Sequence, residues 1–514
     1  MKQRSSGVLM HLTSLPGPYG IGSMGQEAFH FIDFLHDAGQ RYWQILPLVP
    51  TGLGNSPYMS PSVFAGNPLL IDLDLLVAQG LLTQGEVDTA RVADPDQVDF
   101  ARVTRTHPVL LELAYQRATP ELIAKATAFA EEQADWLPDY ALFMAAKEHF
   151  GNKDLPQWPD KALLRRTPAA MERYEKLLKD RIHFHGFCQY LFFQQWNAVH
   201  AYAKEKGVLI IGDLPIYVSG NSADVWAHPE YFQVDQDLNP TAIAGVPADA
   251  FSETGQRWGN PLYQWENHEK DGFAWWCRRI RKNLAFYDVM RFDHFRGFDT
   301  YWAIDPTCEN ALIGQWHKGP GMKLINTLRE KVPDADFIAE DLGILSPSAV
   351  KLVEDSGLPG MRVLVDAFDP SGTSSFLPHA CPVNAVMYTG THDTDTFVHW
   401  LVSAAPEQRD FATRYLRLRE DEGLGWGAVC GAWGSPCLLA IAPFQDILGL
   451  QGDARMNTPG TSGSHNWGWR VRRAAINGEV AWRLRMITET YGRLVKPEVN
   501  ATKSPKEASP TASA

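Results

Sequence analysis

Val289-Met290-Arg291-Phe292-Asp293-His294-Phe295-Arg296-Gly297 reads as a buried strand, yet it carries two cations, a carboxylate and an imidazole. On a strand, residues two apart share a face, so Arg291, Asp293 and Phe295 fall on one side and Phe292 and His294 on the other. A guanidinium beside Asp293 would hold its carboxylate ionised by charge and hydrogen bonding. An oriented carboxylate at a strand end suits a nucleophile. It equally suits a structural ion pair, and the rest of the chain has to choose between them.

Outward from this stretch, short apolar runs recur with helical patterns between them. Residues 7–15 (GVLMHLTSL), 41–49 (RYWQILPLV) and 208–218 (VLIIGDLPIYV) precede it. Residues 337–343 (FIAEDLG), 361–368 (MRVLVDAF), 385–393 (AVMYTGTHD) and 438–444 (LLAIAPF) follow it. Amphipathic stretches at 25–38 and 273–286, and one around 323–331, separate neighbouring runs. Eight strands alternating with helices predict an α/β fold, a (β/α)8 TIM barrel. Two segments interrupt the rhythm. Residues of about 51–205 begin with a Gly-, Pro- and Asn-rich loop and turn mainly helical, ending in a return helix at 186–206. Residues 219–272 show little periodicity, and 250–261 (AFSETGQRWGNP) mixes hinge and stacking residues as a mobile lid would. Both are expected to be insertions, after strands 2 and 3, in one catalytic domain over 1–495 without a C-terminal β-sandwich. A terminal helix is expected at 479–494, and 496–514, rich in Pro, Ser, Thr, Ala and Lys, reads as a disordered tail.

Composition narrows the function. A net charge of −13 over 514 residues argues against nucleic acid and anionic membranes. No apolar run approaches a membrane span, and residues 1–7 lead into a strand without a signal-peptide core. Six cysteines without CxxC or zinc-like spacing suggest reduced thiols in a cytoplasmic protein. The 17 Trp, 16 Tyr and 25 Phe leave aromatics for a ligand with flat apolar faces, such as a sugar, after the core is served.

Barrel sites form at the C-terminal ends of strands, where Asp213, Asp293, Glu340 and Asp393 all fall. Several carboxylates in one mouth fit glycosidic chemistry, with Asp293 as nucleophile and Glu340 as general acid, its pKa raised behind an apolar run. Alternation turns Asp341 away from Glu340. His392 and Asp393 would bind sugar hydroxyls. A magnesium enzyme using the acids as oxygen ligands is the chemical alternative, which Arg291 opposes.

The motifs RFDHFRGFDTYW, FIAEDLG, YTGTHDTDT, GDLPIYV, NSPYMSPSVFAGNP and AFSETGQRWGNPLY, in order along the chain, resemble the amylomaltases, 4-α-glucanotransferases of the α-amylase superfamily. The resemblance implies Asp293 as nucleophile, Glu340 as acid/base and Asp393 as transition-state stabiliser. It places Asp213, Arg291 and His392 around the cleaved bond, Ser56 and Tyr58 at the donor site, Phe251 and Trp258 in a lid over the acceptor side, and Asn466 in a late substrate loop; His294, which alternation points away from Asp293, is a substrate-binding candidate only if the backbone bulges there. Met59, Asn221 and Thr394 depart from the residues expected in many relatives. The implied reaction moves α-1,4-glucan segments (maltooligosaccharides, amylose, glycogen-derived chains) onto the 4-hydroxyl of an acceptor, with no cofactor and no metal, in a monomer or weak homodimer. An α-amylase-like hydrolase and a non-catalytic glucan-binding protein remain as alternatives.

Overall fold

The computed structural model describes residues 3–248, 252–461, 463 and 465–495. The expected tail at 496–514 and the lid residue Phe251 lie outside these. Twelve strands occur among the described residues: β1 (Ser5–Leu9), β2 (Tyr42–Gln44), β3 (Leu209–Leu214), β4 (Ile243–Val246), β5 (Gln256–Pro261), β6 (Val289–Phe292), β7 (Thr300–Ile304), β8 (Gln315–Lys318), β9 (Asp336–Ala339), β10 (Gly360–Val363), β11 (Ala385–Tyr388) and β12 (Leu439–Pro443). Eight close a barrel in the order β1-β12-β11-β10-β9-β6-β3-β2. Its pairings are all parallel. These eight are the apolar runs read from the sequence, so the TIM barrel stands.

The strands are buried along nearly their whole length, as expected where helices cover the outside and side chains fill the inside. Helix Gln26–Asp37 buries Ala28, Phe31, Ile32, Phe34 and Leu35 on the barrel, the stripe its 3.6-residue period predicts. The return helix starts earlier than its pattern suggested, at Lys179, and runs to Glu205. Gly212 in β3 is required by packing: a Cβ there would stand 2.1 Å from the Tyr287 ring. That ring fills the gap under the mouth, and its hydroxyl accepts the Leu48 N–H at 3.0 Å.

Two expectations change. The strands are shorter than the apolar runs, so β6 stops at Phe292 and β11 at Tyr388, leaving Asp293, His294, His392 and Asp393 on the turns beyond. The 219–272 insertion is not an irregular loop. Within it, β4 and β5 pair antiparallel and join β7 and β8 in a four-stranded sheet of order β5-β4-β7-β8. β7 and β8 lie after β6, so the loop following the fourth barrel strand is a third extension, built together with the second. No helix among the described residues is long and apolar enough to cross a membrane.

Candidate active site

Register explains the ion pair that the sequence left open. Asp213 in β3 stands opposite Arg291 in β6, and Phe292 opposite Ala339 in β9. Asp293 and Glu340, each the next residue, therefore leave the barrel at one level. Their backbones stay tied to it: Asp293 N–H donates to the Leu214 carbonyl at 3.1 Å and Glu340 N–H to that of Phe292 at 3.0 Å.

Arg291 is the hub of this mouth. Its Nη1 donates to both oxygens of Asp213 at 2.7 Å and to Asp293 Oδ1 at 3.2 Å, while Nη2 lies 3.7 Å from Glu340 Oε2. Burial opposes the charge, but Asp213, Asp293 and Glu340 outweigh it and hold the guanidinium well above its ordinary pKa. The shortest contacts go to Asp213, which corrects the expectation that Arg291 simply keeps Asp293 ionised. Burial pushes the Asp293 carboxyl well above the usual carboxylate range; Arg291 pulls it down, and the neighbouring acids push it further up. Glu340 is also raised by burial, as expected, against the opposing pull of Arg291 and of two backbone N–H groups. Asp341 does turn away: it is buried, accepting from Met361 N–H at 2.7 Å and Arg362 Nη1 at 3.0 Å.

His294 is not on the far face of a strand, because β6 has already ended. It adopts the left-handed conformation (φ 52°, ψ 51°) and starts a 3-10 turn, Phe295–Phe298. This turn directs its backbone N–H at Glu340 Oε2, 2.6 Å away, and its ring at the edge of Trp258, 4.8 Å between centroids. Leu342 N–H donates to the other oxygen, Oε1, at 3.2 Å. Burial lowers the His294 imidazole to about 3, so it stays neutral. Phe295, expected on the face of Asp293, is instead fully buried. Trp258 belongs to β5 and also packs on Tyr217 at 6.1 Å, so the residue expected in a lid sits on a sheet.

The rest of the mouth comes from β3, the turn after β11 and two loops. Tyr58 OH donates to Asp213 Oδ2 and lies 2.8 Å from His392 Nε2, both contacts being 2.8 Å. A phenol has one proton, so His392 has to donate through Nε2. Burial lowers the His392 pKa, consistent with this neutral tautomer. The two rings stack at 5.5 Å and 11°. Ser56 stands behind, capping the 3-10 turn Pro57–Met59 by accepting the Tyr58 N–H at 3.2 Å.

Asp393 is clamped by residues the sequence did not reveal. Asn457 Nδ2 donates to Asp393 Oδ1 and Arg455 Nη2 to its carbonyl, both at 2.6 Å. Asn457 N–H in turn donates to the His392 carbonyl at 2.9 Å. Trp467, left-handed at φ 65°, packs 5.6 Å from Tyr58 and 6.2 Å from His392. Only the turn signal of Asn457-Thr458-Pro459-Gly460 after the last strand could have pointed here. Asn466 is a brace of this loop: buried, it accepts Thr458 N–H at 3.0 Å and donates to the Thr461 carbonyl and hydroxyl at 3.2 and 3.1 Å. Of the departures from the expected pattern, Asn221 ties the two insertions by donating to Asp154 at 2.6 Å, and Thr394 closes its own turn on Thr391.

Comparison with known proteins follows the same line. A family model described as 4-alpha-glucanotransferase matches residues 10–475. A 4-alpha-glucanotransferase of Thermus thermophilus is 45% identical over 506 residues, covering 96% of this chain and 99% of its own. One from Clostridium butyricum is 42% identical over 487 residues, covering 94% and 100%. An amylomaltase structure from Streptococcus agalactiae in complex with acarbose superimposes with a TM-score of 0.93 at 41% identity, covering 96% of this chain and 100% of that one.

Proposed function

The chain belongs to the 4-alpha-glucanotransferase family and is a transferase acting on α-1,4-glucans, and from this we propose a retaining double displacement with a glycosyl group held on Asp293. In the first step Glu340 gives its proton to the glycosidic oxygen as an Asp293 carboxylate oxygen bonds to the anomeric carbon. The bond to the leaving glucan breaks, and that chain departs with a free 4-hydroxyl. In the second step the Glu340 carboxylate takes the proton from the 4-hydroxyl of an acceptor, whose oxygen displaces Asp293. Atoms and charge balance over the cycle, and each displacement inverts the anomeric centre.

One observation carries this reading: a single guanidinium, Arg291, contacts Asp213, Asp293 and Glu340 together. Two carboxylates sharing one cation converge on one point of the mouth, where a nucleophile and an acid/base can flank one glycosidic bond. The raised Glu340 pKa suits a group that has to carry a proton, while at Asp293 the pull of Arg291 is what favours the ionised form a nucleophile needs, against burial and the neighbouring acids. Asp393, oriented by Asn457, receives the sugar hydroxyls, and Trp258 over His294 limits water, which favours transfer. Substrates are maltooligosaccharides, amylose and glycogen-derived chains. The six cysteines are free thiols, which suits a cytoplasmic setting.

The test is maltotriose incubated with the protein and with Asp293→Asn. The protein should give a ladder of longer maltooligosaccharides, and the variant a loss of several orders of magnitude. Transfer by the variant near the original rate would refute the mechanism, and products of hydrolysis alone would refute transfer.

A further inference from the structure

Near the loop that carries the proposed acid/base, two apolar side chains stay open to solvent: Trp316 on β8, 42% exposed, and Ile344 on the loop after β9, 71% exposed. Both are fastened to the catalytic loops by one residue. The Arg296 guanidinium lies over the Trp316 ring, 4.2 Å from its centroid, and donates from Nη1 to the Ile344 carbonyl at 2.6 Å. Arg296 follows Asp293 by three residues and Ile344 follows Glu340 by four. An extended chain spans at most about 3.6 Å per residue, so their Cα atoms lie within roughly 11 and 14 Å of those two catalytic positions.

The β7–β8 hairpin that carries Trp316 also meets the segment leading into β5. Trp302 on β7 is the register partner of Trp316, packs 5.1 Å from it and donates Nε1 to the Ala311 carbonyl at 3.0 Å. Ala311 N–H donates to the Thr254 carbonyl at 3.1 Å, at the threshold of β5 and Trp258. Trp316 is thus braced by Arg296 and Trp302 while part of its surface stays open. β8 is the outer strand of its sheet and is exposed along its length. A braced, partly open indole, joined through Arg296 to a loop that bears an exposed aliphatic side chain, is suited to the C–H faces of sugar rings, which lose little on leaving water and gain dispersion contact.

We propose that Trp316 and Ile344 form a remote subsite for the glucan itself. It takes glucosyl units beyond those at the cleavage point, on the Glu340 side, and so favours long acceptors over short ones. This rests on the transfer reading above.

Initial rates of transfer from maltotriose onto two acceptors test it. The acceptors are a reducing-end-labelled glucoside and a reducing-end-labelled maltoheptaoside, scored only for labelled products that have grown. Trp316→Ala and Ile344→Ser should each raise the KM for the labelled maltoheptaoside by roughly two- to tenfold. The kcat and the KM for the labelled glucoside should stay as they were, and Trp316→Phe should restore most of the difference. An equal change for both acceptors, or none for the longer one, in either variant overturns the subsite. Absence of any elongated product from the unmodified protein would instead refute the transfer reading beneath it.

Discussion

The backbone N–H of His294 donates to Oε2 of Glu340 at 2.6 Å, so the residue after the proposed nucleophile orients the proposed acid/base through its main chain. It does so only because His294 is left-handed, a conformation that costs a non-glycine residue about 1–2 kcal/mol. His294→Gly should therefore keep kcat within about threefold while raising KM through loss of the Trp258 contact. His294→Val, β-branched and disfavoured there, should lower kcat about tenfold. Transfer rates of the two variants give the comparison; equal losses would show that the ring, not the turn, matters.

Burial raises both Asp293 and Glu340 above ordinary carboxylates. A folded-state pKa above the unfolded one contributes stability that is full below the unfolded value, near 4, and is lost as pH rises through the folded value. At neutral pH the ionised forms are thus a burden. Asp293→Asn and Glu340→Gln should abolish most transfer yet raise the melting temperature at pH 7 by about 1 to 3 °C. The gain should shrink toward pH 4. A melting temperature lowered at pH 7 would contradict the assigned direction.

The amide of Asn457 is the only donor seen on Asp393 Oδ1 among the described residues, at 2.6 Å. Asn457→Asp keeps the shape but sets a second carboxylate there in place of an N–H. Transfer should fall on the order of a hundredfold at neutral pH, and partly recover as pH is lowered and the new acid takes a proton. Asn457→Ala, which adds no charge, should show the fall without the recovery. A flat pH response of the aspartate variant would count against this role.

The eight barrel strands were legible because each is a local apolar run, such as Ile210 and Ile211 in β3. The acids at their ends followed from the barrel rule. β5 was not, since it pairs with β4 across a register shift and β4 in turn pairs with the distant β7, and no local period records such pairing. His294 was misplaced because alternation was carried past Phe292, where the strand ends; nothing in the run marks a left-handed residue that is not glycine. Asn457 and Arg455 lie in an aperiodic loop, where only the fold shows what they reach. The ionisation of Asp293 depends on four acids and one guanidinium meeting in space, so a neighbour in sequence could suggest only part of it.

Tyr58 joins Asp213 to His392 through one hydroxyl at 2.8 Å to each. Tyr58→Phe leaves the stacked ring but strands two polar partners, a loss of about 1–3 kcal/mol. The kcat/KM for maltotriose should fall by roughly 5- to 100-fold, with kcat reduced less than KM is raised. Steady-state rates at several donor concentrations separate the two. A change confined to kcat would place Tyr58 in the chemistry itself.

The central claim is a glycosyl group held on Asp293, and mass spectrometry reads it directly. Glu340→Gln incubated with α-maltosyl fluoride, whose leaving group needs no general acid, should form the ester and break it slowly. The intact chain should gain the mass of one maltosyl unit, and digestion should locate it on the peptide carrying Asp293. No adduct under conditions where fluoride is released, or an adduct on another residue, would contradict the account.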